Sequence, residues 1–238
     1  MTATGKKYRT GVTSEQIVDA AVGLTRQRGL YGWSIRDLVA VIGTSPSVVY
    51  RRLGGRDALC RRVVSHVLGQ IEYQLPGETE LDTGDFDWRE WFRAWLFPMR
   101  PVLTQYPGVA KWVLMHGQVI SENFARFDAD MDRLYDAGFG QDAALVFALI
   151  FNTAMTSIMM SDERGAHADD DPRDHASIIA ELRGTRSRWS EEMTAFIEPL
   201  AGDHDRAQAA KDAYYRTLVN TVLDGLEQRR LGAHSQRS

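Results

Sequence analysis

The sequence holds one cysteine, Cys60, in 238 residues. An internal disulfide is therefore impossible, and the chain suits a reducing compartment. Flanked by Arg61 and Arg62, this thiol has the setting of a redox sensor, but a small buried helix residue is the simpler reading. Catalytic signatures are missing as well: there is no HExxH, paired CxxC, P-loop, GxSxG or GxGxxG. Nothing points to an enzyme, a cofactor or a metal. The segment "HADDDPRDH", 167–175, could chelate a cation, but a solvated acidic loop in which Asp174 caps the next helix is simpler. No stretch reaches eighteen uncharged apolar residues. The nearest, 143–160, includes Asn152, Thr153, Thr156 and Ser157 and is expected as a buried helix. No run with a strand's period of two outlasts its helical alternative, and the first residues are polar and basic, without the apolar core of a secretory leader. The expectation is an all-α cytoplasmic protein with no membrane partner.

What is present is unevenly distributed. Residues 1–62 carry eleven Lys and Arg against four acids, a charge of +7, while the remainder carries seventeen against twenty-eight, or −11, giving the overall −4. A basic head can face phosphates, and an acidic body resists unspecific wrapping by nucleic acid.

The segment "SIRDLVAVIGTSPSVVYRRLGGRDAL", 34–59, explains that head. Ser34 stands three residues before Asp37, the spacing of a capping box. Ile35, Leu38, Val39 and Ile42 then form one apolar face, and Gly43 supplies a left-handed stop. Ser45 reads as the next N-cap and Pro46 as the first helical residue, where a missing N–H costs nothing. Val49 and Leu53 face inward; Ser47, Tyr50, Arg51 and, beside them, Val48 fall on or near the outer face. Two helices joined by so short a turn cross steeply, which is helix-turn-helix geometry and places the second helix in a DNA major groove. Upstream, Thr13 and Gln16 repeat the capping spacing before the stripe Ile17, Ala21, Leu24. Helices are predicted at 14–28, 35–42 and 46–53, closed by a fourth at 56–75.

The run from Thr13 to Val64 resembles the DNA-binding region of the TetR family of transcriptional repressors, with the family's spacing throughout. Three residues depart from its pattern: Arg52 stands for the usual His, Leu53 for Phe and Arg56 for Lys. The resemblance implies that Tyr50 and Arg56 bind phosphates, that Arg52 adds a further cation, and that Arg36 contacts the backbone. It places base reading at the start of the third helix, with Ser45, Pro46, Ser47, Val48 and Arg51 in the contact set. Arg51 could take a guanine edge bidentately and Val48 a thymine methyl.

The body resembles the family's tetracycline-repressor-type regulatory domain more loosely, through "QYPGVAKWVLMHG", "LYDAGFGQDAALVFALIFNTAMTSIMMSDE" and "YYRTLVNTVLDGLEQRR". The implied organisation is a DNA-binding domain at 1–55 and a ligand-binding and dimerisation domain at 56–238. Beyond a linker at 76–85, helices are expected at 88–105, bent or broken by Pro98 and Pro101, and at 107–116, 122–137, 141–161, 176–183, 188–199 and 206–230. Two of them, 143–160 and 206–230, are apolar on more than one face. A helix of that kind must be covered on all sides, and the family solution is a homodimer interface built from this pair. Aromatic and Met side chains could enclose a flat, largely apolar ligand: Trp91, Trp95, Met99, Trp112, Met115, His116, Phe127, Phe151, Asn152 and Met155. Ordinary core packing is the plainer role for each of them. The expected function is a ligand-responsive regulator, most simply a repressor, that binds palindromic operator DNA as a homodimer. The alternative is a constitutive architectural DNA-binding protein without an effector.

Overall fold

The computed structural model of the chain describes residues 11–73, 86–117, 124–166, 174–185 and 187–235. The expected linker at 76–85, residues 167–173 of the acidic loop and the side chain of Phe127 lie outside the described residues. Every regular element among those described is helical. The chain forms two compact units, Met1–Arg133 and Leu134–Ser238.

In the first unit, α1 (Ser14–Arg28), α2 (Ile35–Ile42) and α3 (Pro46–Leu53) have the bounds that their caps predict. Thr13 and Gln16 close a full capping box at the start of α1. Ile17, Ala21, Leu24, Leu38, Val49 and Leu53 are buried as the helical stripes require. Each of these Ile, Leu and Val side chains contributes about 1.5–3 kcal/mol of burial. α4 (Arg56–Leu68) packs on α1 and also on α5 (Trp88–Leu103) and α6 (Val109–His116), so the unit runs well past residue 55.

Two expectations are corrected here. α4 was predicted to reach residue 75, because its apolar spacing runs on to Ile71, which is indeed buried. The helix instead ends at Leu68. Gly69 follows, and Gln70 and Ile71 donate to the carbonyls of Val67 and Leu68 three residues back, tightening the last turn. Pro98 and Pro101, expected to bend or break the next helix, do not break it: both lie inside one continuous helix, α5. Each proline removes one intrahelical bond, at a cost of about 3 kcal/mol. Buried Trp88, Trp91, Phe92, Leu96, Met99 and Leu103 lie along one side of α5 and outweigh that loss.

The turn between α1 and α2 is clasped to the turn between α5 and α6. The Leu30 N–H donates to the Pro107 carbonyl at 2.7 Å. Arg26 Nη2 donates to Gln105 Oε1 at 3.0 Å, and Lys111 lies 5.4 Å from the centre of the Tyr31 ring. Glycine is required on both sides of this clasp. Gly29 has φ of 75° and a Cβ there would sit 3.2 Å from the Pro107 oxygen; Gly108 has φ of 87° and would press on the Tyr31 ring at 3.0 Å.

α7 (Phe124–Leu134) leads through a π-helical turn, Tyr135–Phe139, in which Gly138 is left-handed, into the second unit. There α8 (Ala143–Ala166) packs on α11 (His204–Ser235), while α9 (His175–Thr185) and α10 (Arg188–Ile197) pack on each other and on the short turn Glu198–Ala201. Asp174 caps α9 by accepting from the Ser177 N–H at 3.0 Å. The stretch Asp128–Ala166 is long and apolar enough, by composition alone, to cross a membrane. In the fold, Val146, Phe147, Ile150, Phe151, Ala154, Met155 and Ile158 of α8 are buried.

Candidate nucleic-acid interface

The turn between α2 and α3 is built by local chemistry. Ser34 Oγ accepts from the Asp37 N–H at 3.2 Å, and Asp37 Oδ2 accepts from the Ser34 N–H at 2.8 Å. The same serine hydroxyl also bonds the carboxylate, and that bond, first of all, holds the Asp37 carboxyl below its ordinary range. Gly43 is left-handed at φ 68° and ψ 35°, and the N–H groups of Gly43 and Thr44 both reach the Val39 carbonyl. Thr44 is buried beneath the turn. Ser45 occupies the N-cap position in extended conformation, but its hydroxyl bonds Ser47 Oγ at 2.8 Å rather than a free N–H. Pro46 opens α3 as expected.

α3 then divides cleanly. Val48, Val49 and Leu53 are buried, and Pro46, Ser47, Tyr50, Arg51 and Arg52 are exposed. Arg36 is exposed on α2. Ser47, Tyr50 and Arg51, at i, i+3 and i+4, therefore share one accessible face, with Pro46 at its leading end; Arg52 is exposed too, but on the side of the helix that carries Val48. Tyr50 lies against the backbone of Gly55, where a Cβ would stand 3.4 Å from its Cε1. Val48 is placed differently from the thymine contact suggested for it: it is 7% exposed and packs inward with Val49.

Arg56 is also turned inward. Its guanidinium stacks over Trp33 at 3.6 Å, Nη1 donates to Cys60 Sγ at 2.9 Å and Nη2 donates to the Leu30 carbonyl at 2.5 Å. Trp33 in turn donates through Nε1 to Thr25 Oγ1 at 2.9 Å, and Thr25 donates to the Ala21 carbonyl. Burial raises the Cys60 thiol pKa, with the Arg56 charge acting against the rise. Cys60 is thus a buried helix residue, as its composition suggested. Sequence reasoning missed this Thr25–Trp33–Arg56 chain. Its only advance signal was a threonine at a position that the α1 stripe buries.

The residues expected to meet a ligand fall into two groups. In the first unit, Trp91, Met99 and Trp112 are buried, Trp95 is half-buried, and Met115 and His116 are exposed. The His116 ring stacks on Trp112 at 3.8 Å, with Nδ1 3.0 Å from the Trp112 carbonyl oxygen. In the second unit, Phe151 and Met155 are buried, and Phe151 stacks on Phe147 at 5.6 Å. Asn152 is exposed. It lies in a row with Leu145, Leu149, Thr156 and Met160, which is the uncovered face of α8. Among the described residues no cluster of His, Cys, Asp and Glu suits a metal ion.

This arrangement has known counterparts. The fold is that of the TetR regulators. TetR from Acinetobacter baumannii AYE superposes with a TM-score of 0.63 over 92% of this chain and 98% of its own, at 18% identity. Apo ActR from Streptomyces coelicolor gives 0.63 over 93% and 99%, at 17% identity. Structures of these two neighbours include a TetR variant with minocycline and ActR with actinorhodin. In sequence, the HTH-type transcriptional repressor DrrR1 from Streptomyces coeruleorubidus is 29% identical over 107 residues, 45% of this chain. The match spans 36% of the length of that curated relative. No family model matches the chain.

Proposed function

We propose that the chain is a ligand-responsive transcriptional regulator, acting as a repressor, that binds palindromic operator DNA as a homodimer in the cytoplasm and is released by a small, largely apolar molecule. The observation that carries this reading is the α3 face: Ser47, Tyr50, Arg51 and Arg52 exposed on a short helix fixed by a tight turn, within the basic part of the chain. Arg51 reads a base edge; Arg36, Ser45, Pro46, Ser47, Tyr50 and Arg52 track the phosphates and the groove. Val48 and Arg56 act from behind that face, Val48 by packing α3 and Arg56 by holding the α1–α2 turn. The functional division at 55/56 separates this head from a body, 56–238, that binds effector and partner. No reaction is assigned to the protein, and none of its side chains is read as catalytic.

Trp91, Trp95, Met99, Trp112 and Phe127 in the first unit and, separately, Phe151 and Met155 in the second are the candidate effector contacts in this reading. The partner side is the exposed row on α8 with Tyr214, Leu218 and Val222 of α11. The liganded neighbours support an effector of this kind. Selection from randomised duplex DNA tests the proposal. Two inverted half-sites about 34–36 Å apart, one helical turn, are expected. Recovery of unrelated sequences with equal affinity would instead establish the architectural binder.

A further inference from the structure

α10 is turned inside out. The stripe that it buries within its own chain is polar: Ser190 and Thr194 are both buried, and Thr194 Oγ1 has no hydrogen-bond partner. The stripe one residue earlier, about 100° round the helix, is apolar and uncovered. It holds Trp189 at 56%, Met193 at 42% and Phe196 at 53% exposed, spaced i, i+4 and i+7. An amphipathic helix of a self-sufficient fold turns such a stripe inward. Capping accounts for Ser190, whose Oγ accepts from the Ser187 N–H at 2.9 Å. That fixes where the helix starts and does nothing for the three large side chains. Left in water, they forgo the burial that side chains of this size contribute. The outward stripe is therefore explained by something beyond a single chain.

Three observations point to a second copy of the chain. The stripe is not isolated: Phe196 lies 6.2 Å from Tyr214 of α11, which the homodimer reading already places on the partner side. That reading also needs more surface than α8 offers. The exposed large apolar side chains of α8 are Leu145, Leu149 and Met160. Three half-exposed aliphatic groups fall well short of the roughly 800 Å² per partner that a stable interface takes. Trp189, Phe196 and Tyr214, each about half exposed, add on the order of 100 Å² apiece. Finally, the flank of the stripe is neutral, because Arg188 and Glu192 pair with each other at 3.3 Å. A two-fold contact brings identical patches together, so charge of one sign would meet itself there, and this patch carries none. We propose that α10 is an interface helix: Trp189, Met193 and Phe196 are covered by a second copy of the chain, with Trp189 as the anchor. The contact thereby extends beyond α8 and α11 onto a third helix. This rests on the homodimer reading and adds to it an element that the pair of long helices does not contain.

The test labels full-length Met193→Cys with a maleimide. The native Cys60 is buried, so the thiol at 193 is the one that reports. Sedimentation first establishes the state of assembly. In the dimer, labelling should be at least about tenfold slower than after dilution to monomer, because a covered thiol reacts only when the contact opens. Trp189→Glu places its charge where the single chain already meets water. It should keep native helix content and weaken dimerisation at least about thirtyfold, the scale of an interface anchor. A dimer that labels as fast as the monomer, or a Trp189→Glu protein that dimerises with native strength, overturns this inference and leaves the homodimer standing. Slow labelling in the monomer as well would show the chain covering its own stripe, and overturns it too. A native protein that stays monomeric at every concentration overturns the homodimer reading and this inference with it. Dissociation by Trp189→Glu but not by Leu149→Glu would keep α10 as the interface and remove the α8 row.

Discussion

The three-helix head and the carboxy-terminal unit treat apolar surface in opposite ways. In α1–α3 the apolar stripes are buried within the chain, and the outward face of α3 is polar and cationic apart from the Tyr50 ring. In the second unit Leu145, Leu149 and Met160 of α8, Trp189, Met193 and Phe196 of α10, and Tyr214 of α11 all stand exposed. Those on α8 recur at helical spacing, and so do those on α10. Phe196 also lies 6.2 Å from the Tyr214 ring, so the two helices share a patch. The head is complete as a folded object and presents charge for binding. The second unit leaves rows of large apolar side chains uncovered, the kind of surface that marks an interaction site when it is contiguous. On the proposed function, affinity for DNA and affinity for a second copy would reside in surfaces of opposite chemistry.

The sharpest way to break that contrast is to charge the uncovered face. Leu149→Glu would bury an unpaired carboxylate in the proposed dimer, a cost of several kcal/mol. Sedimentation should show monomer, and palindromic sites should lose tight binding while single half-sites keep a weak one. A dimer of native strength would mean that the face is simply solvated.

Arg56→Ala comes next, and it tests whether the head is complete. Loss of charge-assisted bonds to Leu30 and Cys60 and of the stack on Trp33 should lower stability by roughly 2–4 kcal/mol. Denaturant titration measures this directly. If stability held and only DNA affinity fell, Arg56 would be a phosphate ligand and not a brace.

Arg51→Ala should leave the fold intact and relax preference at one base pair per half-site, a loss of about 1–3 kcal/mol for that base. An unchanged motif in randomised-site selection would remove Arg51 from base reading. Tyr50→Phe, by comparison, should weaken all sequences alike.

The smallest effect concerns acid. Asp37 has its carboxyl pKa lowered below 3.8 in the folded state, chiefly by Ser34. A depressed carboxyl stabilises above its unfolded pKa, and that contribution is lost as pH falls through the folded value. Ser34→Ala should therefore shrink the native protein's advantage at pH 5 and leave little difference at the most acid end. Melting curves of both proteins across that range test it, and parallel curves would show that the cap does not titrate.

The head was legible because its signals are local. Thr13 with Gln16, Ser34 with Asp37, Gly43 and Pro46 each act within four residues, and the three helix bounds follow from them. The body was less so. Helix existence was evident from periodicity, but the end of α4 and the continuity of α5 depend on packing from other elements. Burial inside the fold, not spacing, separates Val48 from Ser47 and Asn152 from Met155. Arg56 is the clearest case: it keeps the charge expected of a phosphate contact, and only the position of Trp33, twenty-three residues earlier, reveals where that charge goes. The exposure of Ser47, Tyr50 and Arg51 on α3 was legible because an amphipathic helix sorts side chains by period.

The clasp between Leu30 and Pro107 bears on modularity. Regulators of this shape invite chimeras in which one protein's DNA head is grafted onto another's sensor by a cut near residue 55. Such a cut would leave the covalent join intact and still separate the partners of a main-chain bond, along with Gly29 and Gly108, whose lack of side chains lets the two turns meet. In this protein the smallest part that can be exchanged without reshaping a surface is not the three-helix head. It is the head together with the turn that holds it, and a graft that respects that boundary should inherit both its DNA site and its responsiveness.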